Sequence, residues 1–273
     1  MKLKSLFALF NAVLILSFLA LFLMPLFLLG GEYFHVFWGK NWGVALLFVL
    51  TLSGINAYFL SNWKIFTLLE REDWKALIGL LERKVAGARI LRSLHVRILL
   101  NSYLVTSRTE DIMKLEATVR ARRPSLLDRN SVQFGVPYLL MSDPAKSEAF
   151  FAAMTARPRV RQRDWMRWNH AFAMMQVERR EEAIRELKEI LAAVKEPILE
   201  LLCLYLLEAY GKSDEGVAAL VREGADRLRQ SLDEKAFRQK IERSAENTQV
   251  LILSRILADA LHWLYHAGEA ASA

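Results

Sequence analysis

The chain has 273 residues and a formal net charge of +7, with 53% apolar residues, twelve glycines, six prolines and one cysteine. So few turn-forming residues argue against a sandwich, a barrel or a long disordered tail, and the lone Cys203 excludes an intramolecular disulfide framework and a cysteine-based zinc site. The charge is uneven: +2 over residues 1–62, +10 over 63–180 and −5 over 181–273.

No charged residue occurs from Ser5 to Gly31, nor from Asn41 to Trp63. About 20 apolar residues suffice for a helix to cross a hydrocarbon core about 30 Å thick, so both runs are expected to span a membrane, over about 5–30 and 42–63. Lys2 and Lys4 precede the first run as in a secretory signal. The run exceeds a signal h-region, however, and no small-x-small cleavage pattern follows it, so an uncleaved span is expected. Pro25 removes one backbone donor inside that span and is expected to bend it. The residues between the spans, Glu32–Lys40, include Tyr33, Phe34, Phe37 and Trp38, which suits a connector lying at headgroup level. Asn11, Asn56 and Gly30-Gly31 are the candidates for contacts involving the spans.

Lys2 and Lys4 flank one side of the hairpin, and Lys64, Arg71, Lys75, Arg83 and Lys84 follow the second span, whereas Lys40 in the connector is offset by Glu32. The positive-inside rule then places both termini and the domain after residue 63 in the cytoplasm, at the inner (plasma) membrane. No Gly or Pro interrupts Ile55–Glu70, so the second span is expected to continue into the first helix of that domain.

Beyond Trp63 an amphipathic pattern sets in. Helix starts fall at Asp73-Trp74, Thr109-Glu110, Asp143-Pro144, Arg180-Glu181 and Asp214-Glu215. Successive starts lie 36, 34, 37 and 34 residues apart, the period of a two-helix repeat. Asp or Thr before a run can cap its amides, early acids suit the helix dipole, and Pro144 is harmless at a first helical position. Apolar residues recur at three and four: Trp74, Leu77, Leu80 and Leu81; Ile112, Leu115 and Val119; Ala183, Ile184, Leu187 and Leu191. Pro124, Pro158 and Pro197 end the runs before them. Partner helices with bulky apolar stripes are expected at Ile90–Leu104, Trp165–Met175 and Ile198–Tyr210, each burying its stripe by stacking. Gly135 and Pro137 make the third unit irregular.

The segments Leu69–Ile78 and Glu178–Leu187 resemble the turn and second helix of the tetratricopeptide repeat, with Ala76 and Ala183 at the small crossing position and Pro124 where that family often ends a repeat. The resemblance covers roughly residues 65–228, and other helix-pair solenoids share the period. Taken with the two spans and the C-terminal stretch, it gives an all-α chain: a two-helix transmembrane hairpin (1–63), a TPR-like α-solenoid of antiparallel helix pairs (64–230) and C-terminal capping helices (231–273). Two spans followed by repeats are also similar in layout to HemY-type membrane proteins. The apolar stretch Val250–Tyr265 would pack back on the stack, form a docking patch or make a dimer contact.

The residues suggest no reaction and no cofactor. His262 and His266 share a helix face at metal-ligand spacing but lack the Glu of a zinc-protease motif and any further ligand cluster. No phosphate loop, nucleophile elbow or catalytic carboxylate pair occurs. Cys203, in the apolar run Ile198–Leu207, reads as a buried structural thiol. Two basic clusters stand out, Arg120, Arg122, Arg123 and Arg129, then Arg157, Arg159, Arg161, Arg163 and Arg167. Solvated loops are the plain reading. Arg157, Arg159, Arg161 and Arg163 are the candidates for an anionic lipid surface. RNA contact is not expected, since no nucleic-acid module is present. Candidate partner-binding residues are Trp165, Trp168, Arg97, Asn101 and Tyr205, with the two tryptophans read first as core and as anchors should they face the groove.

The function expected is that of a non-catalytic adaptor recruiting a cytoplasmic protein partner to the membrane, with membrane lipids as the other contact and no small-molecule substrate. The alternative is a structural subunit of a membrane complex, recognised through its spans.

Overall fold

The structure, a computed structural model, describes residues 3–211, 214–244 and 248–266. Lys2 of the orientation argument lies outside them. The described residues are helical throughout and include no strand. The chain divides into two compact units, Met1–Gly87 and Ala88–Ala273.

The first unit holds α1 (Leu3–Leu29), α2 (Gly31–Glu70) and α3 (Trp74–Ala86). Both α1 and α2 are long and apolar enough to cross a membrane. Their side chains lie open: exposed large apolar residues run from Leu6 to Leu60, whereas among the other described residues they are Leu69, Ile90, Val105, Leu140 and Leu251. The connector expected at Glu32–Lys40 is instead the first turns of α2. The break falls at Gly30, whose φ of 81° lies in the left-handed region that glycine enters at little steric cost. Phe37 and Trp38 then turn toward Phe22 of α1, with ring centroids 5.8 and 5.3 Å away.

The continuity expected through Ile55–Glu70 is present, and α2's forty residues extend about 60 Å, roughly twice the hydrocarbon thickness. Phe18 stacks on Phe48 at 4.5 Å, and Phe7 contacts Phe59 and Trp63. Asn56 Nδ2 donates to Asn11 Oδ1 over 2.7 Å, fastening the pair with the two asparagines singled out from the sequence.

The second unit runs from α4 (Ser93–Val105) and α5 (Thr109–Arg122) through α6 (Pro124–Arg129), α7 (Ser131–Leu140), α8 (Pro144–Thr155), α9 (Arg163–Gln176) and α10 (Arg180–Ala193). It continues with α11 (Pro197–Gly211), α12 (Glu215–Ser231), α13 (Glu234–Arg243), α14 (Thr248–Ile252) and α15 (Ser254–His266). The five expected helix starts coincide with those of α3, α5, α8, α10 and α12. Asp73, Asp143 and Asp214 cap α3, α8 and α12 through their side chains. Glu72, Ser107 and Glu178 have φ between 53° and 63°. In each case the residue's own N–H and the next reach back to the preceding helix, as in Glu178 N–H to Met175 O and Arg179 N–H to Met174 O. This Schellman closure needs a left-handed residue whatever its side chain. It recurs after α2, α4 and α9.

The packing departs from a simple stack. In the second unit consecutive helices pack from α4 to α12, but α14 also packs on α7 and α15 on α11 and α12. A solenoid unit touches only its neighbours. Pro137 lies inside α7 rather than ending a helix. Leu257, Ala260, Leu261 and Leu264 of α15 are buried, so this apolar stretch takes the first of its three expected roles and packs back. Arg229 Nε donates to Leu264 O at 2.8 Å, and Tyr265 Oη to Leu232 O at 2.6 Å. A hydrophobic core joins residues of α9 through α15 around Trp168, Leu187, Ile198, Leu202 and Phe237. Cys203 sits within it, and burial pushes its thiol pKa well above the ordinary range.

Candidate functional site

The two arginine clusters prove to be divided among different tasks. Arg122 and Arg123 donate to the carbonyls of Ala88 and Leu91, holding the turn that leads into α4. Arg120 pairs with Glu116, and Arg167 with Glu186 and Glu189. Asp128, 8% exposed, ion-pairs with Arg157, and this bond raises the guanidinium's pKa. The backbone carbonyl of the same Asp128 accepts the Arg161 N–H at 3.0 Å, and Ser131 Oγ donates to Arg161 O at 3.1 Å. The guanidinium of Arg157 is therefore engaged by Asp128 rather than free for a lipid surface, which corrects the expectation for that residue, and the Arg161 backbone is fixed to α6 and α7. Arg159 and Arg163 are exposed, as expected for surface cations.

Pinned in this way, Arg161 borders a cavity of about 540 Å³ together with Arg97 of α4 and Arg129 of α6. Ser93, Asn130, Gln133 and Gln162 complete its lining, with no carboxylate, aromatic or large aliphatic side chain among them. The three arginines are solvent-exposed and form no ion pair among the described residues. Three helices begin at this cavity: α4 at Ser93, α7 just after Asn130 and α9 just after Gln162. None of the three starts is capped by the side chain of its N-cap residue. The first amides of a helix have no intrahelical acceptor and carry the positive end of its dipole. Gln162 has φ 53° at a helix start, unlike the other three positive-φ side-chain-bearing residues, which close helices.

The other predicted residues lie elsewhere. Trp168 is fully buried and stacks on Phe172 with centroids 5.5 Å apart, so it cannot anchor a partner in this conformation; it is core. Trp165 is 3% exposed, and its indole Nε1 donates to Glu196 Oε2 at 3.0 Å. It too belongs to the core, with an edge on a cleft of about 450 Å³ that Arg163 and Lys195 also border. Tyr205 is half-buried against Trp263. Asn101 and Arg97 are exposed on α4, and Arg97 is the partner-binding candidate that reaches the cavity. His262 and His266 have ring centroids 5.0 Å apart, and His266 lies 3.3 Å from Glu234. Among the described residues no group of three His, Cys, Asp or Glu is placed to hold a metal.

These features define an all-helical chain with two apolar N-terminal helices and a basic, polar cavity in its second unit. It belongs to the family described as "Uncharacterised Treponema protein", whose sequence profile matches residues 111–266. A protein of Treponema pallidum (strain Nichols), itself called uncharacterized, is 27% identical over 282 residues, covering 97% of this chain and 88% of that protein. No solved structure matches the chain significantly.

Proposed function

We propose that this protein is a membrane-anchored, non-catalytic helical scaffold. In this reading α1 and α2 cross the membrane, the helices after α2 form a divergent TPR-like array on the cytoplasmic side, and that array recruits a protein partner. The observation that carries the reading is the exposure of the apolar side chains of α1 and α2. A contiguous apolar surface of that extent is not tolerated in water, and lipid is the solvent that satisfies it. The Asn56–Asn11 hydrogen bond and the aromatic contacts along the pair support a retained hairpin over a cleaved leader. The unbroken α2 continues from the span to the turn before α3. Preorganised helices of this kind lower the ordering cost of binding a partner.

The test is crosslinking in native membranes with the full chain, followed by mapping of the crosslinked residues. A soluble protein attached to residues of the second unit supports the scaffold. Membrane proteins attached between Leu6 and Leu60 favour a structural subunit instead, a reading supported by the apolar notch of about 350 Å³ among Leu6, Phe7, Phe10 and Phe59. Orientation is tested with an impermeant thiol reagent on a cysteine placed at exposed Ala156 in a Cys203→Ser background. Labelling of intact cells would overturn the cytoplasmic placement.

A further inference from the structure

We infer that the cavity bordered by Arg97, Arg129 and Arg161 binds a phosphorylated polyol, with the phosphate group held by the three guanidinium groups. This inference goes beyond the scaffold reading and stands without it. Three unpaired arginines around one cavity repel one another, and no lining carboxylate relieves them. An arginine fork matches two phosphate oxygens at once, and a doubly charged phosphate has oxygens enough to engage several such forks. The starts of α4, α7 and α9, none capped by its N-cap side chain, add helix-dipole ends of the same polarity.

The site is built rather than incidental. Arg161 is held by two backbone-directed hydrogen bonds, from its N–H to Asp128 O and from Ser131 Oγ to its own carbonyl. Arg122 and Arg123 hold the turn before α4. Asn130, 6% exposed, is fixed by an Nδ2 bond to Leu126 O of 2.7 Å. At about 540 Å³ the cavity falls in the usual range for small-molecule sites, about 300–1,000 Å³, and is larger than a lone phosphate needs. Because no aromatic ring lines it, it offers no stacking platform for a nucleobase. The remaining lining groups, from Ser93, Gln133 and Gln162, are amides and a hydroxyl suited to the hydroxyl groups of a glycerol- or sugar-like body. Such chemistry occurs in a free polyol phosphate, a doubly charged monoester, and in a glycerophospholipid headgroup, whose singly charged diester still presents two free oxygens to an arginine fork.

The experiment uses the full chain in nanodiscs and reads phenylglyoxal modification of individual arginines by mass spectrometry. One arm titrates neutral phosphatidylcholine discs with sn-glycerol 3-phosphate and inorganic phosphate. The other replaces the lipid with phosphatidylglycerol and adds no free phosphate. Saturable protection of Arg97, Arg129 and Arg161, with Arg159 and Arg163 unprotected, is expected in at least one arm. Protection in the first identifies a soluble ligand, and protection in the second alone a headgroup. Removing two guanidinium contacts, as in Arg97→Gln with Arg161→Gln, should weaken protection about tenfold or more. The charge-matched Arg159→Gln with Arg163→Gln should leave it unchanged. Absence of protection in both arms, or equal loss in the two double variants, would overturn the proposal.

Discussion

Asn56 Nδ2 and Asn11 Oδ1 lie 2.7 Å apart, a side-chain hydrogen bond between two helices that carry no charged residue over Ser5–Gly31 and Asn41–Trp63. Each amide also donates to a carbonyl four residues earlier on its own helix, to Phe7 O and Leu52 O. Interhelical bonds of this kind contribute on average about 0.6 kcal/mol in a membrane. Asn56→Leu alone leaves Asn11 Oδ1 without its donor, whereas Asn11→Leu with Asn56→Leu removes both polar groups. The single variant should therefore lose more stability than the double one, by thermal unfolding of the full chain in detergent. Equal loss would mean that the contact contributes nothing to holding α1 on α2.

Gly224 of α12 is buried where a Cβ would stand 2.6 Å from Leu204 Cδ2 of α11. Leu204 is itself buried and has little room to yield. Gly224→Val should destabilise the protein by about 1–3 kcal/mol through overpacking. A parallel Leu204→Ala change should recover part of that loss in a double-mutant cycle, which denaturant unfolding can measure.

Asn169, fully buried in α9, has neither of its side-chain polar atoms bonded within the described residues. An orphaned buried amide carries a desolvation cost of about 1–3 kcal/mol, so Asn169→Leu should raise stability within that range. A fall in stability instead would point to a bound water or ligand that satisfies the amide.

Burial holds Cys203 protonated well above the ordinary thiol value of 9.0. Below pH 9 both folded and unfolded chains keep the proton, so this group adds no pH dependence there. As pH rises past that value, the unfolded thiol ionises and the folded one does not, so stability falls. The wild-type chain should resist thiol reagents at pH 8 until denatured, and Cys203→Ala should flatten the alkaline decline, read from unfolding curves at pH 8 to 10.5.

Asp128 couples the Arg157 guanidinium to the segment that carries Arg161. Asp128→Ala should free that segment while sparing the distant core, seen as faster tryptic cleavage after Arg159, Arg161 and Arg163 at unchanged helix content. Unchanged cleavage would show that the backbone bonds suffice.

Much of the helical frame is legible in the residues, and much of the site is not. Asp73, Asp143 and Asp214 announce helix starts because a carboxylate before an apolar run can accept first-turn amides, and each does so. Asn11 and Asn56 stand out because polar side chains are costly in apolar helices unless paired. Glu32–Lys40 misleads: its aromatic residues suit an interface equally well when helical, and the break is set by one positive φ at Gly30. Trp165 and Trp168 share a face at helical spacing, and periodicity alone does not say whether that face meets solvent or core. The cavity is hidden because its lining comes from three helix starts far apart in the chain, each ordinary in isolation. The closest clue was the density of arginines over residues 120–163, eight against the three acids Asp128, Asp143 and Glu148.

Because α2 runs unbroken from Gly31 to Glu70, the number of residues after Asn56 sets an angle as well as a distance. One residue inserted between Asn56 and Glu70 would swing the later positions of α2 about 100° around the axis relative to the asparagine clasp. Seven residues, two turns, would return them to within about 20°. Relatives that differ in length here should therefore differ by whole heptads, and a chimera that ignores this phase would present α3 on the wrong side of its own shaft.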